Sequence, residues 1–344
     1  MGLGLMSLAR RFSGIAVVLA VLSSSGRAAA EEPRKQLKAG IIGLDTSHVV
    51  AFTKALNNAD AKGELAYVRV VAAFPGGSPD IPASADRLEG FTKQLRDMDV
   101  EIVDSIDALL KKVDVVLLES VDGRPHLEQV KPVFAAGKPV FIDKPVAGSL
   151  ADAIEIFRLA REYQVPCFSS SSLRFSPEFI ETKNSDRLGD VIGCVAFGPC
   201  HLEEHHPDLY WYGVHGVETL FTFMGTGCQS VTRTHTKGTD VVTGLWAGGR
   251  IGTFRGLREG KGGYGALVFG SKGILQAGRS GGYTPLVVEI CKFFQTGKAP
   301  VSAEETIEIF AFMEAADESK RQGGKPVKLE DVIKKAKRAA GKSR

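Results

Sequence analysis

The sequence predicts an α/β protein of two domains, a doubly wound parallel sheet followed by a domain built on an open, mainly antiparallel sheet. Three observations carry this reading. The 344 residues suffice for two separate cores, at roughly 100 to 200 residues per domain. From Leu37 to about Ser172, short β-branched runs alternate with helical patterns, the signature of βαβ units. After Arg174 the texture changes: 15 of the chain's 39 glycines fall between Gly238 and Gly282, separating short apolar runs. Glycine at that density between strand-like segments reads as tight turns of an antiparallel sheet.

The expected strands of the first domain are Lys38 to Gly43, Tyr67 to Phe74, Val113 to Glu119, Pro139 to Ile142 and Cys167 to Ser170. Their runs are continuously apolar, as strands covered on both faces must be. Between the last two, Ser149 caps a helix with Asp152 three residues on. Ala153, Ile156, Phe157 and Ala160 then form one buried stripe. In the second domain the extended runs are Val241 to Trp246, Ile251 to Phe254 and Ala266 to Phe269. Helical patterns at Pro285 to Phe294 and Glu304 to Lys320 pack back on that sheet or on the first domain. The expected boundaries are a leader over 1–30, the parallel domain over 34–170, the second domain over 171–330 and a solvated basic tail over 331–344.

The leader has the order of a secretory signal. Arg10-Arg11 precedes an apolar stretch from Ile15 to Leu22, then small residues ending in Ala28-Ala29-Ala30. Eight apolar residues are too few to span a bilayer, which takes about 20. The expectation is an exported chain, periplasmic or secreted, with Arg10-Arg11-Phe12 pointing weakly to the twin-arginine route rather than the general one. Three of the 43 basic residues lie in this leader, which has no acid, so 40 of each sign follow it. A neutral mature chain lacks the bias of a nucleic-acid or anionic-membrane binder. The cysteines, 167, 194, 200, 228 and 291, are odd in number and form no C-x-x-C pair, so neither a disulfide framework nor a thiolate metal site is expected.

The first strand runs into Gly40-Ile41-Ile42-Gly43-Leu44-Asp45-Thr46-Ser47-His48, where a dinucleotide-binding fold carries G-x-G-x-x-G. With Gly43 as the first glycine, the second is Asp45 and the third His48. Thr46, Ser47 and His48 offer hydrogen bonds to a pyrophosphate, whereas a carboxylate at Asp45 repels one unless it caps the helix. The acid that usually meets the ribose at the end of the second strand is replaced by Phe74-Pro75-Gly76.

Three further runs complete the pattern: Ser120-Val121-Asp122-Gly123-Arg124-Pro125-His126, then Ala136-Gly137-Lys138-Pro139-Val140-Phe141-Ile142-Asp143-Lys144-Pro145, then Arg174-Phe175-Ser176-Pro177. The chain resembles the Gfo/Idh/MocA oxidoreductases, with Asp143 where that family has glutamate. The resemblance implies a Rossmann domain joined to an α/β domain with an open sheet, and NAD or NADP as a tightly held cofactor. It further implies a sugar or polyol substrate and a homo-oligomer, dimer or tetramer, formed through the sheet. It places Lys144 between nicotinamide and substrate and His215, in Trp211-Tyr212-Gly213-Val214-His215-Gly216-Val217-Glu218, as the proton acceptor. The family's aspartate four residues before the histidine is Trp211 here, an aromatic face suited to a sugar ring. Gly43, Thr46, Ser47, His48, Ser120, His126, Asp143 and Lys144 are then the cofactor contacts, and Arg174, Trp211 and Glu218 the substrate contacts.

His201, Glu203, Glu204, His205, His206 and Asp208 have the chemistry of a zinc or manganese site together with His215, but Pro207 breaks the helix that would present them together. A polar lining of the substrate cleft is expected, and no metal. The functional expectation is hydride transfer on a sugar or polyol. The alternatives are a carbohydrate-binding or scaffold protein that has lost the reaction, and a glycoside lyase or hydratase working through a bound nicotinamide.

Overall fold

The computed structural model describes residues 35–278 and 280–341, so the leader lies outside the described residues. Eleven elements build the first domain: β1 (Leu37–Ile42), α1 (Ser47–Leu56), β2 (Val68–Phe74), α2 (Pro82–Arg96), β3 (Glu101–Ile102), α3 (Ile106–Leu110), β4 (Val115–Leu118), α4 (His126–Ala135), β5 (Val140–Ile142), α5 (Leu150–Glu162) and β6 (Cys167–Ser169). The strands pair in parallel in the order β3-β2-β1-β4-β5-β6. The order reverses between β1 and β4, which opens a crevice at their carboxyl ends. Ser149 caps α5 as expected, its hydroxyl accepting the Asp152 N–H at 3.0 Å.

The second domain comprises α6 (Pro177–Lys183), β7 (Val191–Pro199), α7 (Gly213–Met224), β8 (Cys228–His235), β9 (Thr239–Trp246), β10 (Ile251–Leu257), β11 (Gly265–Gly270), β12 (Ile274–Ala277), α8 (Thr284–Thr296), α9 (Ala303–Arg321), β13 (Val327–Lys328) and α10 (Leu329–Ala340). Its sheet runs β12-β11-β7-β10-β9-β8-β13, antiparallel throughout except where β7 and β10 pair in parallel. Helices α7 and α9 cover one face. The amphipathic α8 goes elsewhere: Leu286, Val287, Ile290 and Phe293 join the core over β1 and β5 with Phe52, Phe141 and Phe168.

The solvated tail is a correction. Residues 329–340 are helical, with Leu329, Val332 and Ala340 buried and most of the lysines on the exposed side. The stripe has helical spacing, but basic residues dominate the segment and mask it. The five cysteines are free, four of them buried. Burial pushes the thiols of Cys194, Cys200, Cys228 and Cys291 up to about 12. Among the described residues no helix is long and apolar enough to cross a membrane.

Helix α7 lies close on its sheet because residue 216 has no side chain. A Cβ there would come within 2.1 Å of Cε2 of Phe254, a fully buried ring on β10. A Gly→Ala change inside a helix ordinarily stabilises by about 1 kcal/mol. At this position overpacking of about 1–3 kcal/mol opposes it, so Gly216→Ala is expected to lower the urea midpoint, which chemical denaturation measures directly.

Candidate functional site

A cavity of about 470 Å³ lies at the carboxyl edge of the parallel sheet, between the two domains. Thr46, Ser47 and His48 from the start of α1, Arg87 from α2, Lys144 after β5, and Trp211, Tyr212, His215, Tyr264 and Tyr283 from the second half of the chain line it. Of the residues expected from the sequence it thus brings together Thr46, Ser47, His48, Lys144, Trp211 and His215.

The turn after β1 is set by Gly43, whose φ of +89° suits glycine and whose absent side chain leaves room for Ser120. Its N–H donates to the Phe74 carbonyl at 3.0 Å, and the Leu44 N–H to Pro75 at 2.7 Å. Thr46 is the N-cap of α1, and its hydroxyl accepts the His48 N–H. Asp45 is therefore not the cap. It is fully buried, accepting the Ser84 hydroxyl at 2.6 Å and the Val121 N–H at 2.9 Å, and burial raises its pKa. The carboxylate thereby ties α2 and the loop after β4 to the α1 turn instead of facing the crevice.

The other departure, His48, meets the departure at Asp143. Nδ1 of His48 and Oδ2 of Asp143 are 2.7 Å apart, with the carboxylate off the ring N–H direction, so the contact is a buried imidazole–carboxylate pair. The imidazole stacks on Phe52, 5.5 Å between centroids, and meets Tyr283 at 4.5 Å. Burial alone would raise the Asp143 pKa, but the neighbouring His48 and Lys144 draw it to about 2. Beside it Glu119, wholly buried, has no hydrogen-bond partner for either oxygen among the described residues. Burial, and then the Asp143 charge, push it well above the carboxylate range, so it keeps its proton.

His215 stands in the first turn of α7. Its Nδ1 is 2.8 Å from the Ser171 hydroxyl, and the Ser171 N–H donates to Glu218 at 2.8 Å. Burial drives the imidazole well below the histidine range, and the Lys144 charge acts in the same direction, so it is neutral. Trp211 stands where the family pattern places a carboxylate, and a serine hydroxyl orients the ring instead. Ser171 belongs to the run Ser169 to Ser172 that ends an apolar strand, and that polar run is the signal the sequence offered for it. Arg87, Tyr264 and Tyr283 also escaped sequence reasoning, since each belongs to an element whose packing on the crevice is tertiary.

Several expected contacts lie behind the cavity rather than on it. Arg174 and Glu218 are corrections: both are buried, paired at 2.9 Å, with Glu305 2.8 Å from the arginine, and they brace the Ser170–Ser171 segment. His126 is a further correction, fully buried between the carbonyls of Ser120 and Val146 at 2.9 and 3.3 Å. Gly43, Ser120 and Asp143 form the layer beneath the lining.

The histidine-rich loop does not line the cavity, and among the described residues its side chains pair with one another and with the first domain. Glu203 takes both neighbours, His205 Nδ1 and His206 Nδ1, at 2.7 Å each. His206 Nε2 reaches Asp122 at 3.0 Å, Arg124 bridges Asp122 and Asp80 at 2.7 and 2.8 Å, and His205 Nε2 closes the ring on Asp80 at 3.7 Å. Ser78 donates to Asp122 at 2.6 Å. Three loops from both domains are joined through this ring, and Trp211 packs on His206 at 5.0 Å.

Residues 37–171 match the Gfo/Idh/MocA family, described as an oxidoreductase family with an NAD-binding Rossmann fold. Over 138 residues the chain is 26% identical to the uncharacterized oxidoreductase YhhX of Escherichia coli K12, a match spanning 37% of this chain and 40% of that protein. Among solved structures, a putative myo-inositol dehydrogenase from Sinorhizobium meliloti superposes with a TM-score of 0.71 at 17% identity, covering 86% of this chain and all of that one. The scyllo-inositol dehydrogenase of Lactobacillus casei, solved with NAD(H) and scyllo-inositol, gives 0.70 at 14% identity, covering 86% of this chain and 100% of that one. A probable dehydrogenase from Thermotoga maritima gives 0.70 at 20% identity over the same shares. At these identities the shared property is the fold.

Asp122 allows a stability test. Burial alone would raise its pKa, but hydrogen bonds from His206, Arg124 and Ser78 hold it far below the ordinary 3.8. A depressed carboxylate contributes stability above its unfolded pKa and loses it as pH falls. Asp122→Asn should therefore destabilise the protein by about 2–3 kcal/mol at pH 7. Thermal melts at stepped pH should show the deficit shrinking below pH 3.8.

Proposed function

We propose that this chain, whose residues 37–171 match the Gfo/Idh/MocA family model, is an enzyme that transfers hydride between a nicotinamide cofactor and a sugar or cyclic polyol held in the cavity. The observation that carries the proposal is that Lys144 and His215 open onto one cavity with the N-terminus of α1. The cofactor's fit is good at one end. Exposed Ser47 at the positive end of a ten-residue helix, with Arg87 and Lys144 on the same cavity, suits a diphosphate. At the other end, β2 finishes in Phe74 and the Pro75 carbonyl is bound to Leu44, so no carboxylate meets the ribose, and Asp80 is held by Arg124. Binding therefore depends on the diphosphate and nicotinamide halves.

When bound, the cofactor supplies the carbon that accepts or donates hydride. This chain's residues handle the proton and the oxygen. With Nδ1–H donated to Ser171, His215 presents Nε2 to the cavity and accepts the hydroxyl proton. The Lys144 ammonium donates to the same oxygen as it becomes a carbonyl. Trp211, Tyr212 and Tyr264 supply the aromatic faces on which sugar rings stack, which supports the substrate class; the inositol dehydrogenase folds point the same way. The leader's charged, apolar and small-residue order supports export, with the cofactor taken up before the chain leaves the cytoplasm.

The uncovered face of the second sheet supports a homo-oligomer. Leu245 and Ile251 stand opposite one another there, Leu267 opposite Val195, and Ile274 opposite Phe269; Leu245, Ile251, Leu267 and Ile274 are exposed. Ile251→Asp should convert the assembly to monomer in light scattering; an unchanged mass would place the interface elsewhere.

The activity is tested with NAD⁺ and NADP⁺ against inositols and hexoses, following absorbance of the reduced cofactor. His215→Gln and Lys144→Met should each lower kcat about a hundredfold or more while the fold persists. Because His215 must be neutral to accept a proton and is held below the ordinary 6.5, the acid limb of kcat/KM should lie below that pH. Failure of both dinucleotides to bind at millimolar concentration would refute the reading.

A further inference from the structure

Hydride transfer to or from one carbinol carbon requires one proton acceptor, and His215 fills that role. A second imidazole shares the cavity. His48 lines it from the first turn of α1, clamped between Phe52 and Tyr283, with a buried carboxylate at Nδ1, so that Nε2 is the ring nitrogen left without a hydrogen-bond partner among the described residues. The two residues come from positions 95 apart, the third glycine of the dinucleotide turn and the acid before Lys144, and each departs from the family pattern. Their departures meet at 2.7 Å. An imidazole whose Nδ1 faces a fixed carboxylate is the arrangement that leaves Nε2 as a base. The off-axis contact is ordinary for an acid–base pair without substrate. His215 has only a serine at Nδ1, so the two imidazoles differ in kind. Lys144 stands near enough to both Asp143 and His215 to shift their protonation.

We propose that His48 is a second base of this cavity, removing a proton from the carbon next to the substrate's carbonyl, with Asp143 as its positioning residue. The inference rests on the proposed oxidoreductase reading for the origin of that carbonyl. The C–H bond breaks, the proton goes to Nε2 of His48, and the electron pair moves into the carbonyl to give an enolate against the Lys144 ammonium. Either the same carbon recovers a proton, giving exchange or inversion, or the pair forms a C=C bond as the C–O bond at the next carbon breaks, the leaving oxygen taking the bonding pair and the proton held on His48. Neither branch needs an oxidant once the ketone is present. The substrate class narrows to cyclic sugars or polyols with an acidic C–H beside the oxidised carbon, and the net reaction to elimination or epimerisation.

The experiment supplies the ketone directly. The full chain is incubated in D₂O with 2-keto-myo-inositol or methyl 3-keto-glucopyranoside, without added dinucleotide and again with NAD⁺. Loss of the C–H signal beside the carbonyl is followed by proton NMR. Wild type should exceed buffer about a hundredfold, His48→Gly should lose that gain, and added imidazole should restore part of it. Should His48→Gly not fold, Asp143→Asn should lose about tenfold or more. Exchange no faster than buffer overturns the proposal, as does exchange that survives His48→Gly but is lost in His215→Gln. A His48→Gly protein that exchanges like wild type but binds NADH tenfold more weakly also overturns it, making His48 a cofactor contact. Wild type that oxidises NADH against these ketones without exchange defeats this proposal alone; exchange without hydride transfer defeats the oxidoreductase reading alone.

Discussion

Burying a carboxyl group without a partner costs several kcal/mol, and this protein buries four at the carboxyl edge of its parallel sheet: Asp45, Glu119, Asp122 and Asp143. Each is neutralised in a different way, and the four solutions shape the site. Asp45 takes a backbone N–H and a serine hydroxyl. Asp143 takes His48 and the field of Lys144, Asp122 takes Arg124 and His206, and Glu119 keeps its proton first because it is wholly buried and then because of the Asp143 charge beside it. Two like charges so close together do not both persist in a low dielectric, so the neutral acid and the charged one are set by one another.

These solutions also hold the domains together. The loop that carries Glu203, His205 and His206 leaves β7 and reaches Asp122 and Asp80 on the first domain. Because Trp211 packs on His206, the cavity wall on the second domain is registered against the crevice of the first. His215 is registered by a different route: Arg174 and Glu218 brace the segment of Ser171, and Ser171 holds the ring. The lining residues are few, and a layer of buried charge behind them fixes their positions.

The strands of the first domain were legible because parallel strands covered on both faces read as unbroken apolar runs, and Val115 to Leu118 is one. The second sheet was legible in its glycine spacing but not in its pairing: nothing local distinguishes β7, parallel to β10, from its antiparallel neighbours. The turn at Gly43 was readable from motif spacing, and Lys144 and His215 only from the family resemblance. Ser171, Arg87 and Tyr283 were not, because their part in the site comes from packing between segments far apart in sequence. Arg174, Glu218 and His126 show the converse, since a polar residue in a family motif does not reveal whether it faces the ligand or supports one that does.

Asp45 and His48 occupy glycine positions, and read locally the first repels a pyrophosphate while the second offers it a hydrogen bond. The structure gives each substitution a partner off the ligand path, Ser84 and Val121 for one, Asp143 for the other. A turn that had merely lost its glycines would leave a carboxylate and an imidazole unpaired at the mouth, at a cost the fold has no reason to bear. Asp143 is one methylene shorter than the glutamate of the family pattern, and the added imidazole lies in contact with it. The contact joins two departures 95 residues apart, a carboxylate beneath the cavity wall and an imidazole that lines the same cavity as Lys144 and His215.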